Sequence, residues 1–232
     1  MLSKIVKKKI LSFIQFNFQP RIEALHSESI FQGIFNQQCL NYGIRNDFYP
    51  VGAAASYSLM YLLVRIIKEL PILKIVELGS GQSTLLIDRI KNKSCTHTAY
   101  ENNSVWAEIL RGSLYDCDYR EQSLIALQHH EIKYQGYSNL DNQSFDLLLV
   151  DGPNGTDRFS RFTCIPLVEA NIGNEFIIVF DDASRPGEQD TISHLAHCLS
   201  QKKVDFKLNY ISGRTTQAVF TTPKYRTASF FF

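Results

Sequence analysis

Glu77, Glu101, Asp151 and the adjacent pair Asp181 and Asp182 each stand where a short apolar run stops. The runs are 72–78, 96–100, 145–150 and 176–180; the third and fourth are apolar nearly throughout rather than alternating, and the second, Thr-His-Thr-Ala-Tyr, is a short strand-like stretch. That pattern reads as strands covered on both faces. Ligands of open α/β sheets bind outside the carboxyl ends of the strands, so these carboxylates are expected along one rim. The turn after the first run, Gly79-Ser80-Gly81-Gln82-Ser83-Thr84, adds glycines suited to a sharp bend and to the close approach of a ligand with a ribose or a polar tail. Ser83 and Thr84 are placed to cap the helix that follows. Glu101 lies 24 positions beyond Glu77, near the ~20-residue offset at which an acidic residue meets ribose hydroxyls in nucleotide-binding sheets. The competing reading is an ordinary strand-to-helix turn with surface carboxylates at the strand ends.

The elements that must hold these residues follow from the intervening patterns. Residues 53–70 are rich in helix formers and end at Pro71, which predicts a long helix leading into the first strand. A helix is predicted over 104–114 with Ser104 as its cap, and a third strand over 131–135, followed by Gly136. Strand alternating with helix argues an α/β doubly wound, mostly parallel sheet. Residues 205–210 and 216–221, joined by a short link containing Gly213, predict a C-terminal antiparallel hairpin at one sheet edge. The expected organisation is an N-terminal helical extension over 1–52 and a ligand-binding domain over 53–232.

Composition narrows the function classes. The 232 residues are 44% hydrophobic and 20% charged, as in a globular protein, and carry a net charge of +1. No general basic field is present, which argues against nucleic acid as a partner. Cys39, Cys95, Cys117, Cys164 and Cys198 show no Cys-x-x-Cys pair, which points to reduced thiols in the cytoplasm. No segment has the ~20 apolar residues of a membrane span. Lys4, Lys7, Lys8 and Lys9 precede Ile10, Leu11, Phe13, Ile14 and Phe16 in the first 18 residues. They fit a helix packed on its own domain, or an amphipathic contact with the inner face of an anionic membrane. The tail Ser229-Phe230-Phe231-Phe232 is expected to dock on the domain or on a second copy of the chain, forming a homo-oligomer.

Taken in order, Glu-Leu-Gly-Ser-Gly-Gln-Ser-Thr at 77–84, Tyr-Glu-Asn-Asn at 100–103, Phe-Asp-Leu-Leu-Leu-Val-Asp-Gly-Pro at 145–153 and Val-Phe-Asp-Asp at 179–182, with the terminal hairpin, resemble a class I S-adenosylmethionine-dependent methyltransferase. The resemblance covers about residues 53–225. It implies a seven-stranded Rossmann-like sheet, S-adenosyl-L-methionine as cofactor, and a methionine subsite built from Glu77, Gly79, Ser80, Gly81, Ser83 and Thr84. It further implies that Glu101 and Asn102 hold the ribose, that Gly136, Tyr137 and Ser138 lie near the adenine, and that Asp151 also borders the cofactor.

Asp151, Asp181 and Asp182 are similar in position to the metal ligands of cation-dependent O-methyltransferases acting on catechols and sugars. Oxygen ligands alone suit a hard cation such as Mg²⁺. Three clustered carboxylates with nothing bound would repel one another. The implied chemistry is methyl transfer to a hydroxyl of a saccharide or related small molecule, as in surface-glycan or secondary-metabolite pathways, with the cation lowering the hydroxyl pKa and Asp151 taking the proton. The catechol enzymes have a lysine three residues after the first metal aspartate, whereas Asn154 stands here. Arg158, Arg161 and Arg185 near this rim are candidates for clamping an acidic acceptor, with surface ion pairing as the alternative. His194 and His197 read as ordinary helix residues, and His129 and His130 have no assignment. A nicotinamide-dependent oxidoreductase would want a third glycine where Ser83 or Thr84 stands. A catalytically idle binding module of the same fold remains the other alternative.

Overall fold

The computed structural model describes Lys7 and residues 19–50, 54–140 and 143–229. Apart from Lys7, the basic and apolar residues of 1–18 lie outside the described residues, as do Phe230, Phe231 and Phe232, so the expectations placed on both termini do too. Among the described residues no helix is long and apolar enough to cross a membrane.

In chain order the elements are α1 (Gln19–Tyr42), α2 (Tyr57–Glu69), β1 (Lys74–Leu78), α3 (Gln82–Ile90), β2 (Thr96–Glu101), α4 (Ser104–Arg111) and β3 (Asp118–Glu121). They continue with β4 (Ile125–His129), β5 (Ile132–Gly136), β6 (Leu147–Val150), α5 (Cys164–Ala170), β7 (Ile177–Phe180), α6 (Pro186–Gln201), β8 (Lys207–Ser212) and β9 (Thr216–Thr221). A 3₁₀ segment over Pro223–Ser229 ends the described chain.

The main sheet has seven strands in the order β3-β2-β1-β6-β7-β9-β8. The first five of these run parallel, and β9 joins β7 and β8 antiparallel, as the terminal hairpin requires. Alternate residues of the buried strands serve opposite layers. Ile75, Leu147, Leu149, Ile177 and Val179 pack under α2 and α3. Val76, Leu78, Leu148, Val150, Ile178 and Phe180 pack against α5 and α6. Two apolar faces explain why these runs do not alternate in polarity.

One strand differs from expectation. The third strand of the sheet is Asp118–Glu121 rather than 131–135. The residues around 131–135 instead form β5, which pairs with β4 as a separate two-stranded hairpin. Strand β3 is an edge strand whose Asp-Tyr-Arg-Glu sequence is largely exposed, so it has no apolar run to announce it.

Helix α2 begins at Tyr57, four residues later than the composition suggests, because the Ser56 side chain caps it by accepting from the Leu59 N–H at 3.3 Å. Helix α1 lies against it through Phe35 and Cys39. Glu28 of α1 is buried and accepts from two main-chain donors, Tyr57 N at 2.6 Å and Arg214 N at 2.9 Å. The extension is thereby fastened both to the start of α2 and to the turn between β8 and β9.

Candidate active site

The turn after β1 is shaped by another turn. Gly79 has φ of 87°, and a Cβ built there would lie 2.5 Å from Gly152 N. A Cβ at Gly152 would lie 2.4 Å from Gly79 Cα. The loops leaving β1 and β6 are therefore in backbone contact, and the glycines admit each other. Gly79 and Gly81 both line the cleft, and Gly79 is in addition required by the neighbouring loop. Gly81 is extended, with φ of 175°, and a Cβ there meets nothing nearer than Trp106 Nε1 at 3.9 Å. Gly79→Ala is expected to cost about 3 kcal/mol or more, from overpacking and left-handed strain. Gly81→Ala should stay within about 1 kcal/mol, as a substitution without such a clash does. Urea unfolding of both variants checks the contrast.

Beneath this turn, Glu77 is fully buried and does not face the cleft. Its Oε1 accepts from Ser83 Oγ at 2.6 Å, and its Oε2 lies 3.0 Å from His97 Nε2. Thr84 Oγ1 accepts from Gly81 N at 2.9 Å, which closes the turn. Glu77, Ser83 and Thr84 thus brace the loop through their side chains.

Glu101, at the end of β2, is 6% exposed and already holds four donors. Oε2 accepts from Ser80 N at 3.0 Å and Ser80 Oγ at 2.8 Å. Oε1 accepts from Asn102 N at 2.8 Å and Asn103 N at 2.7 Å. A diol reaching this carboxylate would replace the Ser80 hydroxyl, the one side-chain donor, which can turn to Tyr119 Oη at 2.8 Å. Trp106 Nε1 donates to Ser80 O at 2.8 Å and keeps the half-exposed indole at the cleft mouth. Asn103 positions that helix by accepting from Trp106 N at 3.1 Å.

Gly136, Tyr137 and Ser138 do not join this cleft. A Cβ at Gly136 would lie 2.0 Å from Thr163 Oγ1. Tyr137 is buried with its hydroxyl donating to Tyr100 O at 3.3 Å, and Ser138 O accepts from Gln122 Nε2 at 3.1 Å. Their placement near the adenine is implied by the family resemblance, but they do not line this cleft. Asn102, Asn103 and Trp106 stand there instead.

On the opposite wall, one ligand oxygen from each of Asp151, Asp181 and Asp182 lies within 4.8 Å of the others. Burial and the charge of Asp181 hold the Asp151 carboxyl well above the usual range, and burial and Asp182 raise that of Asp181. Asp181 Oδ1 accepts from Gln217 Nε2 at 2.7 Å and Thr215 Oγ1 at 2.8 Å. Asp182 Oδ2 faces Arg185 Nη1 at 2.9 Å and accepts from Arg161 Nη2 at 3.1 Å.

Arg161 is not a rim clamp for a substrate. It is 5% exposed and donates to Asp181 O at 3.0 Å, Val150 O at 3.3 Å and Pro153 O at 3.3 Å. It also stands 3.6 Å from Asp151 and 3.5 Å from the buried Glu188. Burial opposes its charge, yet Asp151, Asp182 and Glu188 around it raise its pKa further. Arg161 and Asp182, themselves ion-paired, both adopt left-handed backbone, with φ of 58° and 57°. That costs of order 1–3 kcal/mol at each such position, and such strain clusters at functional sites. Arg158 is exposed, pairs with Asp190, and lies outside the cleft. Arg185 borders the cleft and remains half exposed.

The two walls enclose one cleft of about 700 Å³. It also takes in Gln82 and Asn154, together with Tyr49, Arg214 and Thr215, which sequence patterning did not single out. Gln82 pairs with the main chain of Tyr49, donating to its carbonyl at 2.7 Å and accepting from its N–H at 2.5 Å. No short apolar run or motif marks Tyr49, Arg214 or Thr215, because they reach the cleft from the N-terminal segment and from the turn between β8 and β9.

A scan against protein-family models gives no match, and neither does a search of curated proteins. Solved structures give a likeness of fold. An O-methyltransferase from Bacillus cereus in complex with S-adenosylhomocysteine aligns with a TM-score of 0.50 at 12% identity, over 91% of this chain and 96% of that one. The O-methyltransferase TomG from Streptomyces achromogenes, involved in tomaymycin synthesis and solved with S-adenosylmethionine, aligns with a TM-score of 0.50 at 12% identity, covering 83% and 89%. A methyltransferase from Geobacter sulfurreducens gives 0.52 at 14%, covering 83% and 88%. With its strand order and terminal antiparallel pair, the chain has the methyltransferase fold.

Proposed function

We propose that the cleft binds S-adenosylmethionine and that the protein transfers the methyl group to a hydroxyl of a saccharide or related small molecule, with a hard divalent cation at Asp151, Asp181 and Asp182. The observation that carries this reading is the shared cleft, in which the Ser80–Gln82 loop and Glu101 face the acidic trio across the ends of adjacent strands. The residues fit a nucleoside sulfonium, since they offer an anionic carboxylate with an exchangeable serine donor, asparagines and an indole face. They also fit a hard cation, since one carboxylate oxygen from each of Asp151, Asp181 and Asp182 lies within 4.8 Å of the others.

S-adenosylmethionine supplies a methyl group on a positively charged sulfur, and the cation supplies Lewis acidity toward the acceptor hydroxyl. The chain supplies position and proton transfer. Glu101 and Trp106 fix one end of the cleft. Asp151, beside Asp181 and Asp182 in the cleft, would accept the hydroxyl proton when the methyl group passes from the sulfur to the acceptor oxygen. Arg161 keeps the acidic wall from repelling itself, and Arg185 stands ready for an acidic group on the acceptor.

The test is incubation with labelled S-adenosylmethionine and candidate glycans or nucleotide sugars, with and without a chelator, read by mass spectrometry. Methylated product that disappears on chelation supports the whole reading. Product unaffected by chelation removes the cation, and failure to bind S-adenosylmethionine by calorimetry removes the methyltransferase.

A second expectation concerns pH. Asp151 and Asp181 have folded pKa values above their unfolded ones, so their ionisation penalises the fold, and the penalty lifts as pH falls through the raised values. A cation relieves the same repulsion. Added Mg²⁺ should therefore raise the melting temperature most at mildly alkaline pH and progressively less on acidification. An equal shift at every pH would show that Mg²⁺ acts elsewhere.

A further inference from the structure

His129 and His130 sit at the tip of the β4–β5 hairpin and line no part of the cleft described above. Successive strand residues ordinarily point to opposite faces. Here His130 has φ of 50°, which swings its ring to 4.4 Å from that of His129, centroid to centroid. Glycine or asparagine would adopt this backbone at less cost. From α5, Glu169 brings Oε2 to 3.0 Å from His129 Nε2. That approach is misaligned for a hydrogen bond, so His129 Nε2 is a buried nitrogen without one. Donor atoms of His129, His130 and Glu169 all lie within 4.8 Å of one another. The other oxygen of Glu169 stands 3.8 Å from Lys202 Nζ.

We propose that His129, His130 and Glu169 form a zinc site. Two imidazole nitrogens and one carboxylate oxygen match the borderline character of Zn²⁺, whereas the oxygen-only trio in the cleft matches a harder ion. Ligand distances of about 2.0–2.1 Å in a tetrahedron set neighbouring donors roughly 3.3 Å apart. The His129–Glu169 pair already has nearly that spacing, and the fourth position is left to water. The ion would clip the hairpin to α5. That hairpin supplies Lys133 and Tyr134 to a groove of about 850 Å³ shared with Arg158 and Phe159, which meets the cleft at Pro153 and Asn154. The site would therefore set the rigidity of a wall beside the proposed acceptor position. It does not depend on the methyltransferase reading.

The experiment is titration of the full chain with zinc chloride in excess Mg²⁺, followed by calorimetry, by metal analysis after desalting, and by thermal melting. One zinc per chain and a higher melting temperature are expected. His130→Asn keeps a residue that tolerates the backbone but removes a ligand, and Glu169→Gln keeps the size but removes the charge. Each should weaken zinc by more than the ~10–100-fold that losing an outer-shell partner costs. Asp181→Asn should leave zinc binding unchanged. The proposal is overturned if the unaltered chain retains no zinc in excess Mg²⁺, if His130→Asn and Glu169→Gln both bind it as tightly as the unaltered chain, or if Asp181→Asn abolishes it. Melting of each variant without zinc establishes that it folds; where one does not, the other decides.

Discussion

Arg161→Met is expected to destabilise the fold by about 3–5 kcal/mol, the cost of removing one partner from a buried ionic cluster. The side chain it removes is the internal cation for Asp151, Asp182 and Glu188 and a donor to the carbonyls of Val150, Pro153 and Asp181. Methionine fills much of the volume, so the loss isolates charge and hydrogen bonding from packing. Urea unfolding measures the effect, and saturating Mg²⁺ should recover part of it by supplying another cation to the same carboxylates. A change below about 1 kcal/mol, the size of an ordinary exposed pair, would mean that the cluster is protonated or solvated in the folded protein.

Asp151→Asn should act in opposite directions on activity and on stability. Removal of a general base lowers turnover about 10²–10⁴-fold. S-adenosylmethionine affinity should change little, because the residues that face its nucleoside stand on the other wall. Stability at neutral pH should rise, since burial and Asp181 disfavour the ionised Asp151 more than Arg161 favours it. Turnover, calorimetry and thermal melting on one preparation test all three. Lost turnover accompanied by equally lost stability would reassign Asp151 to holding the fold together.

The apolar runs at β1, β6 and β7 made most of the sheet legible, because strands buried on both faces leave a continuous hydrophobic signature. The carboxyl ends of β2, β6 and β7 then located Glu101, Asp151, Asp181 and Asp182 on one rim, where the structure places them. Edge strand β3 left no such mark, since Asp118–Glu121 buries little. The pattern over 131–135 suggests that strand, whereas the region forms β5 of the separate hairpin. The hairpin went unread because its turn, at His130 and Glu131, contains neither glycine nor asparagine. Arg161 was visible as a charge, but its inward course depends on a left-handed backbone that an arginine in a sequence does not advertise. Glu77 was picked out for ligand contact, whereas a tertiary neighbour, His97, accounts for it.

Glu28 has a reach out of proportion to its distance along the chain. It anchors the main-chain N–H of Arg214, whose neighbour Thr215 donates to Asp181. Proteolysis between α1 and α2, followed by loss of the first helix, would strip acceptors from Tyr57 and Arg214 together and unlatch the turn that steadies the acidic wall. The first half of α1 thus serves as a remote strut for an acidic wall whose residues lie more than a hundred positions away.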